Sequence, residues 1–210
     1  MNYGQMRDYI LQLINRYSIA GARYAPSYNN QQDYINKIPA LINDGLIYIA
    51  SSIRKLPAQK IYRPEDGEVY GSYIRHAYPE DALEIRSGGL FIPNGGYGGA
   101  RFLKDYIIQE PDHILIPANV KSEAVLEYYR EPKLLDASPK DTDKVDAPVD
   151  AQLAICYYTA AHLVQFDDSY NYTSLYNEFE SRAERLIQAP TTEIRGVSDV
   201  YGFGMGDVYG

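Results

Sequence analysis

Apolar positions recur every three or four residues at both ends of the chain and in short, turn-punctuated runs in its middle. Met6, Ile10, Leu13, Ile14 and Tyr17 mark one helical face, which predicts a helix over about 4–18 with Gly21 as its stop. The Gly, Pro, Ser and Asn content of 21–30 predicts a loop. Ile35, Ile38, Ile42, Leu46, Ile49, Ile53 and Leu56 continue the helical period over 33–56, where Pro39 either opens the main helix or kinks a longer one and Pro57 ends it. Further on, Pro148 suits a first helical position. Leu153, Cys156, Tyr157, Ala160, Leu163 and Val164 then give a third stripe over 148–166, closed by Asp167 and Asp168. Tyr172, Leu175, Tyr176, Phe179, Ala183, Leu186 and Ile187 form a fourth over 171–188, before Pro190.

Between these ends, β-branched and aromatic residues sit in runs cut by Pro and Gly. The candidate strands are 60–63, 68–74, 83–87, 89–92, 105–109, 113–116 and 124–130, with turn signals at 64–67, 93–96 and 117–119. This spacing favours a small antiparallel sheet pair or partly open barrel, with Gly95 to Gly99 at a hairpin tip. Lys133 to Ala147 is rich in Asp, Lys and Pro, so it is expected to wrap the surface without packing. The resulting expectation is an α+β fold: a discontinuous four-helix bundle with an inserted antiparallel β domain and an extended C-terminal arm. Its parts are the bundle halves 1–58 and 148–189, the β domain 59–132, the connector 133–147 and the arm 190–210.

The arm shows no period across its length and alternates Gly with aromatics. Gly196, Gly202, Gly204 and Gly206 make it too flexible to fold alone, while Val200, Tyr201, Phe203, Met205 and Tyr209 supply apolar anchors that a solvated tail would not need. At about 3.3 Å per residue it reaches tens of ångströms. Those five residues are the candidate interaction site, and strand addition to a neighbour's sheet edge is the expected mode.

Composition narrows the function. A formal net charge of −8 argues against a surface that grips nucleic acid, because such surfaces need Lys and Arg to displace phosphate counterions. It suits a wall that DNA passes without sticking. Twenty-two Tyr and no Trp suit surfaces that become interfaces, since the ring buries apolar area and the hydroxyl tolerates water. One Cys precludes an internal disulfide framework, and no stretch suggests a signal peptide or membrane span.

No catalytic pattern emerges. His76, His113 and His162 lack metal-ligand spacing. Asp141, Thr142 and Asp143 resemble the start of a calcium loop, but Asp146 falls one place late and the turn Gly is missing. The glycines at 95–101 lack the residues of a phosphate loop. Cys156 lies on an apolar stripe, and Ser198 is in no nucleophile elbow. The pairs Glu65–Asp66, Glu80–Asp81 and Asp167–Asp168 are turn neighbours whose side chains diverge, unlike a glycosidase pair. The expectation is no enzyme, no cofactor and no metal.

The stretch from Ala124 through Glu184 resembles the head-to-tail adaptor, or connector, proteins of tailed double-stranded-DNA bacteriophages. The resemblance rests on Leu126, Tyr128, Tyr129 and Pro132, then the acidic connector, then Pro148, Leu153, Tyr157, Ala160, Ala161 and Leu163, the Asp pair, and Tyr176, Phe179 and Ala183. The pattern over 30–50 is similar to the family's long helix. It implies a homo-oligomeric ring, usually a dodecamer, in the virion neck. Such a ring is assembled in the host cytoplasm, docks on the portal protein, leads to a tail or tail-terminator protein, and passes DNA through its lumen. The competing class is a carbohydrate-binding or fibre-like β module on a helical base, for which Tyr-lined sheets are also natural.

Overall fold

The computed structural model describes residues 1–14, 28–93, 100–109, 112–165 and 169–188. Among these the chain is mixed α+β, with four α-helices and two antiparallel sheets. It divides into two compact units, one formed by Met1–Lys55 and Pro132–Pro190, the other including Leu56–Glu131.

In the first unit, α1 spans Tyr3–Leu13. Asn2 caps it reciprocally: its side chain accepts from the Gln5 N–H at 2.9 Å, and the Gln5 side chain accepts from the Asn2 N–H at 3.0 Å. The helix ends at Leu13, with the Ile14 N–H on the Ile10 carbonyl, and residues 15–18 of the expected helix lie outside the described residues. Helix α2 spans Tyr28–Tyr48, so 28–30 are helical where composition predicts a loop. Pro39 lies inside α2, not at its start, and is itself buried beside Ile38. That burial offsets the missing hydrogen bond of an interior proline. A single π turn at Ile49–Ile53 ends the helix, so Leu56 and Pro57 belong to the first strand and not to the helical stripe.

Helix α3 spans Gln152–Val164; Pro148 to Ala151 form a preceding turn closed by the Ala151 N–H on the Pro148 carbonyl, and the predicted start at 148 is four residues early. It packs on α1, α2 and α4, the last spanning Ser169–Gln188. A helix enclosed on several sides has no single stripe: Ala154, Ile155, Thr159 and Ala161 are buried along with Cys156, Ala160, Leu163 and Val164, while Leu153 is 39% exposed against expectation. Residues of all four helices share one buried cluster, with Met6, Ile10, Ile38, Ile42, Leu46, Ile155 and Phe179 at its centre.

The connector corrects its expectation too. Val145 is buried in that cluster, with Leu135 and Ala147 packed against it. Asn43 holds Leu135 through both backbone groups, accepting from its N–H at 2.8 Å and donating to its carbonyl at 2.9 Å. The N–H groups of Tyr3 and Gly4 donate to the carbonyls of Asp143 and Asp141. A polar segment packs here because its backbone groups find partners on the helices.

In the second unit, one sheet has the order β1 (Leu56–Tyr62), β8 (Ala124–Arg130), β4 (Ala82–Pro93), β5 (Ala100–Phe102). The other has β2 (Glu68–Tyr70), β3 (Tyr73–Ala77), β7 (His113–Pro117), β6 (Ile107–Gln109). Tyr62, Leu90, Ile92, Ile114, Ile116, Leu126 and Tyr128, drawn from both sheets, form one core. The predicted strand 68–74 is two strands joined at Gly71, whose φ of 61° suits the tight hairpin turn. Conversely, 83–87 and 89–92 are one strand, β4, whose register against β8 shifts between Ile85 and Leu90. Gly89 sits in that irregularity, where a Cβ would stand 2.2 Å from the Ile85 side chain. Strand β5 has no counterpart among the expected strands.

Candidate functional site

The five arm residues, Val200, Tyr201, Phe203, Met205 and Tyr209, lie outside the described residues, as do the 95–99 tip, Asp167, Asp168 and Ser198. Several of the remaining candidates are held by packing or hydrogen bonds. Cys156 is fully buried and its thiol is pushed up to about 12 by that burial, far from a reactive thiolate. Asp141 pairs with Arg7 of α1, and the Asp141 and Asp143 carbonyls accept the Gly4 and Tyr3 N–H groups, so the Asp141–Asp143 motif latches the connector to the chain's first helix. Asp81 accepts from the Tyr128 hydroxyl at 3.0 Å; burial, reinforced by this bond, raises that hydroxyl to about 12. Among the described residues, no three His, Cys, Asp or Glu side chains come together as metal ligands. Nor is any described helix long and apolar enough to cross a membrane.

His76 and His162 both sit against aromatic rings. His76, on β3, is buried beside the Tyr62 ring at 5.1 Å between centroids, and desolvation lowers its pKa against the opposing pull of Asp66. Burial also raises the Tyr62 hydroxyl strongly, and it donates to the Ala77 carbonyl at 3.3 Å.

On the helical unit, His162 lies 4.1 Å from the Tyr158 ring centroid, with Nδ1 2.8 Å from the Tyr158 carbonyl. The Tyr172 and Tyr176 rings lie edge-on to His162, 6.4 and 6.1 Å away between centroids. Tyr48 stacks on Tyr158 at 6.1 Å and 14°, and Phe179 closes the group at 5.3 Å from Tyr158. The elements that build it are α2, α3 and α4. Gly45 permits the close approach: a Cβ there would meet the Tyr158 ring at 3.1 Å. Tyr48 and its neighbour Ile47 are 45% and 48% exposed, so the group ends in an apolar surface. Sequence reasoning misses this six-ring cluster, although the spacing of Tyr158 with His162, and of Tyr172, Tyr176 and Phe179, places rings on common helix faces.

On the β unit, an open cleft of about 480 Å³ is lined by Tyr78, Pro79, Glu80, Asp112 and His113, with Ala77 and Ala82. One aromatic ring beside two carboxylates can stack on and hydrogen-bond a polyhydroxylated ligand. The apolar groups left outside are concentrated on short edge strands: Val69 and Tyr70 on β2, Phe102 on β5, Ile107 and Ile108 on β6.

No family model matches the chain, and no curated protein matches it either.

Proposed function

We propose that the protein is a structural virion component, a head-to-tail adaptor whose copies form a ring between the portal and the tail and line part of the DNA conduit. On this reading the helical unit is a discontinuous four-helix bundle, the β unit is an insertion between its halves, and the protein catalyses nothing. The observation that carries it is the order β8, pinned connector, α3, α4 along the stretch that resembles the adaptors, with α1 and α2 from the other end of the chain contributing to the same buried cluster. Net charge of −8 and a composition of twenty-two Tyr fit a conduit wall built from repeated subunits. The test is electron microscopy of virions labelled for this chain, together with native mass of the purified protein. Label at the neck and a closed ring are expected; label on fibres, or none on particles, overturns the reading. Truncation after Gln188 is expected to leave the fold intact and abolish assembly onto the portal or adjoining ring.

The cleft at Tyr78, Glu80, Asp112 and His113 favours the second reading, a carbohydrate-binding module. Saturable glycan binding that is lost in Tyr78→Ala would support it, and an unresponsive glycan array would end it.

A further inference from the structure

The two sheets present four edge strands, and these are not equally guarded. Strand β1 carries Pro57 and Lys60, β2 carries Glu68 in an ion pair with Arg75, and β5 carries Arg101. Charge and proline on an edge discourage another chain from adding a strand. Strand β6, Ile107-Ile108-Gln109, carries neither. Among the described residues it pairs with β7 alone, and all three of its residues are exposed, Ile107 at 44% and Ile108 at 36%. Ile108 stands opposite Ile114, which is fully buried in the β core. Cross-strand partners share a face, so a further strand beside β6 would extend that core outward.

The sequence contains a segment suited to that position. Beyond Gln188, where α4 ends, the chain runs on to Gly210, and Tyr201-Gly202-Phe203-Gly204-Met205-Gly206 alternates large side chains with none. Side chains of a strand point alternately to opposite faces. In extended form this stretch would therefore carry one continuous apolar face and one bare face, and a lone strand of that kind needs an edge to pair with. Among the described residues the outer edge of β6 has no strand beside it. We propose that residues 200–206 of a second copy add as a strand to β6, with Tyr201, Phe203 and Met205 laid on the core side beside Ile108. Main-chain pairing would supply affinity, and the alternation would supply register. The proposal rests on the assembly reading only in requiring that copies of this chain associate.

Two complementary variants test it: a chain truncated after Gln188, which keeps the edge, and the full chain with Ile107→Lys and Ile108→Lys, which keeps the arm. By sedimentation, the intact chain is expected to self-associate and each variant alone to be monomeric. The equimolar mixture should recover pairs. Self-association of either variant to the extent of the intact chain, a monomeric mixture, or a monomeric intact chain would overturn the proposal. A ring that still forms with the edge variant would sink this inference while leaving the adaptor reading standing, whereas absence of the chain from the virion neck would sink that reading alone. Exchanging Gly202 and Phe203 keeps composition but breaks the alternation, and is expected to weaken association about tenfold or more; unchanged association would exclude a strand. Should the lysine variant fail to fold, a synthetic peptide of residues 197–210 added to the truncated chain provides the readout. Slowed amide exchange at 107–109 is expected, and no change there counts against the edge.

Discussion

The helical unit and the β unit close in opposite ways. Among the described residues, every strand pairing of the β unit falls within Leu56–Glu131. The helical unit is held by contacts between the two ends of the chain: Asn43 with Leu135, Arg7 with Asp141, Arg54 with Asp150, and the Met1 ammonium with the Gln152 side chain. Loop-closure cost rises only slowly with length, so an intervening folded stretch is tolerated. The helical core nevertheless draws its buried residues from both ends. Assembly of one unit is local and of the other conditional.

Dividing the chain tests this difference most severely. Segment 56–131 alone is expected to unfold cooperatively on heating and to give dispersed amide resonances, because it contains every described strand of its core. Segment 1–55 alone is expected to lose most of its helical circular dichroism, since α1 and α2 would expose the faces that α3 and the connector cover. A stably helical 1–55 would break the comparison.

A smaller but sharper effect comes from Phe179, which is 2% exposed and lies within 5.3–5.9 Å of Tyr48, Tyr158 and Tyr176 between ring centroids. Phe179→Ala is expected to destabilise the helical unit by about 3–5 kcal/mol. Urea unfolding followed by helical ellipticity should shift, while amide exchange of β8 stays in place. Parallel shifts in both would mean that the units unfold as one.

How much of this could be read from the sequence follows the same division. A period of 3.6 identifies all four helices, because α1, α2 and α4 each bury a stripe: Met6 and Ile10, Ile38 and Ile42, Leu175 and Phe179. The reading weakens at α3, whose burial on several sides erases the stripe and leaves Leu153 outside. Strand β8 is legible to the residue, being a continuous run between clear breaks, but β5 follows the glycines of 95–99 and carries too few residues to show alternation. Gly71 divides 68–74, while Gly89 does not divide β4, and composition alone does not tell a turn glycine from a bulge glycine. The connector's packing depends on Asn43, ninety-two positions from Leu135, which no local pattern reports. For the candidate site, the arm can be read only as sequence. The aromatic cluster needs three helices in place before its spacing acquires meaning.

Gly89 gives a third prediction, confined to the β unit. Gly89→Val places a Cβ where it would stand 2.2 Å from Ile85 Cγ2 and 2.8 Å from the Arg86 carbonyl oxygen. The strand has to shift at its irregularity, and overpacking of this kind costs about 1–3 kcal/mol. Loss of β-unit stability with the helical transition unmoved is expected in thermal melts read by separate probes. A neutral variant would show that the bulge relaxes freely.

The smallest effect expected is a pH dependence in the β unit. His76 is buried next to Tyr62, and desolvation lowers its pKa, with Lys60 of β1 acting in the same direction and Asp66 of the neighbouring 3-10 turn opposing. A histidine whose folded pKa lies below its unfolded value of about 6.5 binds fewer protons in the native state. Its contribution is therefore complete above that unfolded value and declines as pH falls through it toward the folded pKa. Urea midpoints of the β unit are expected to fall between about pH 7.5 and 5.5, and His76→Gln should flatten that part of the slope. His76 lies on β3, within the β unit, so the same substitution is expected to leave the helical midpoint's response to pH unchanged. Equal flattening in both units would show that the two cores are coupled through more than the chain that joins them.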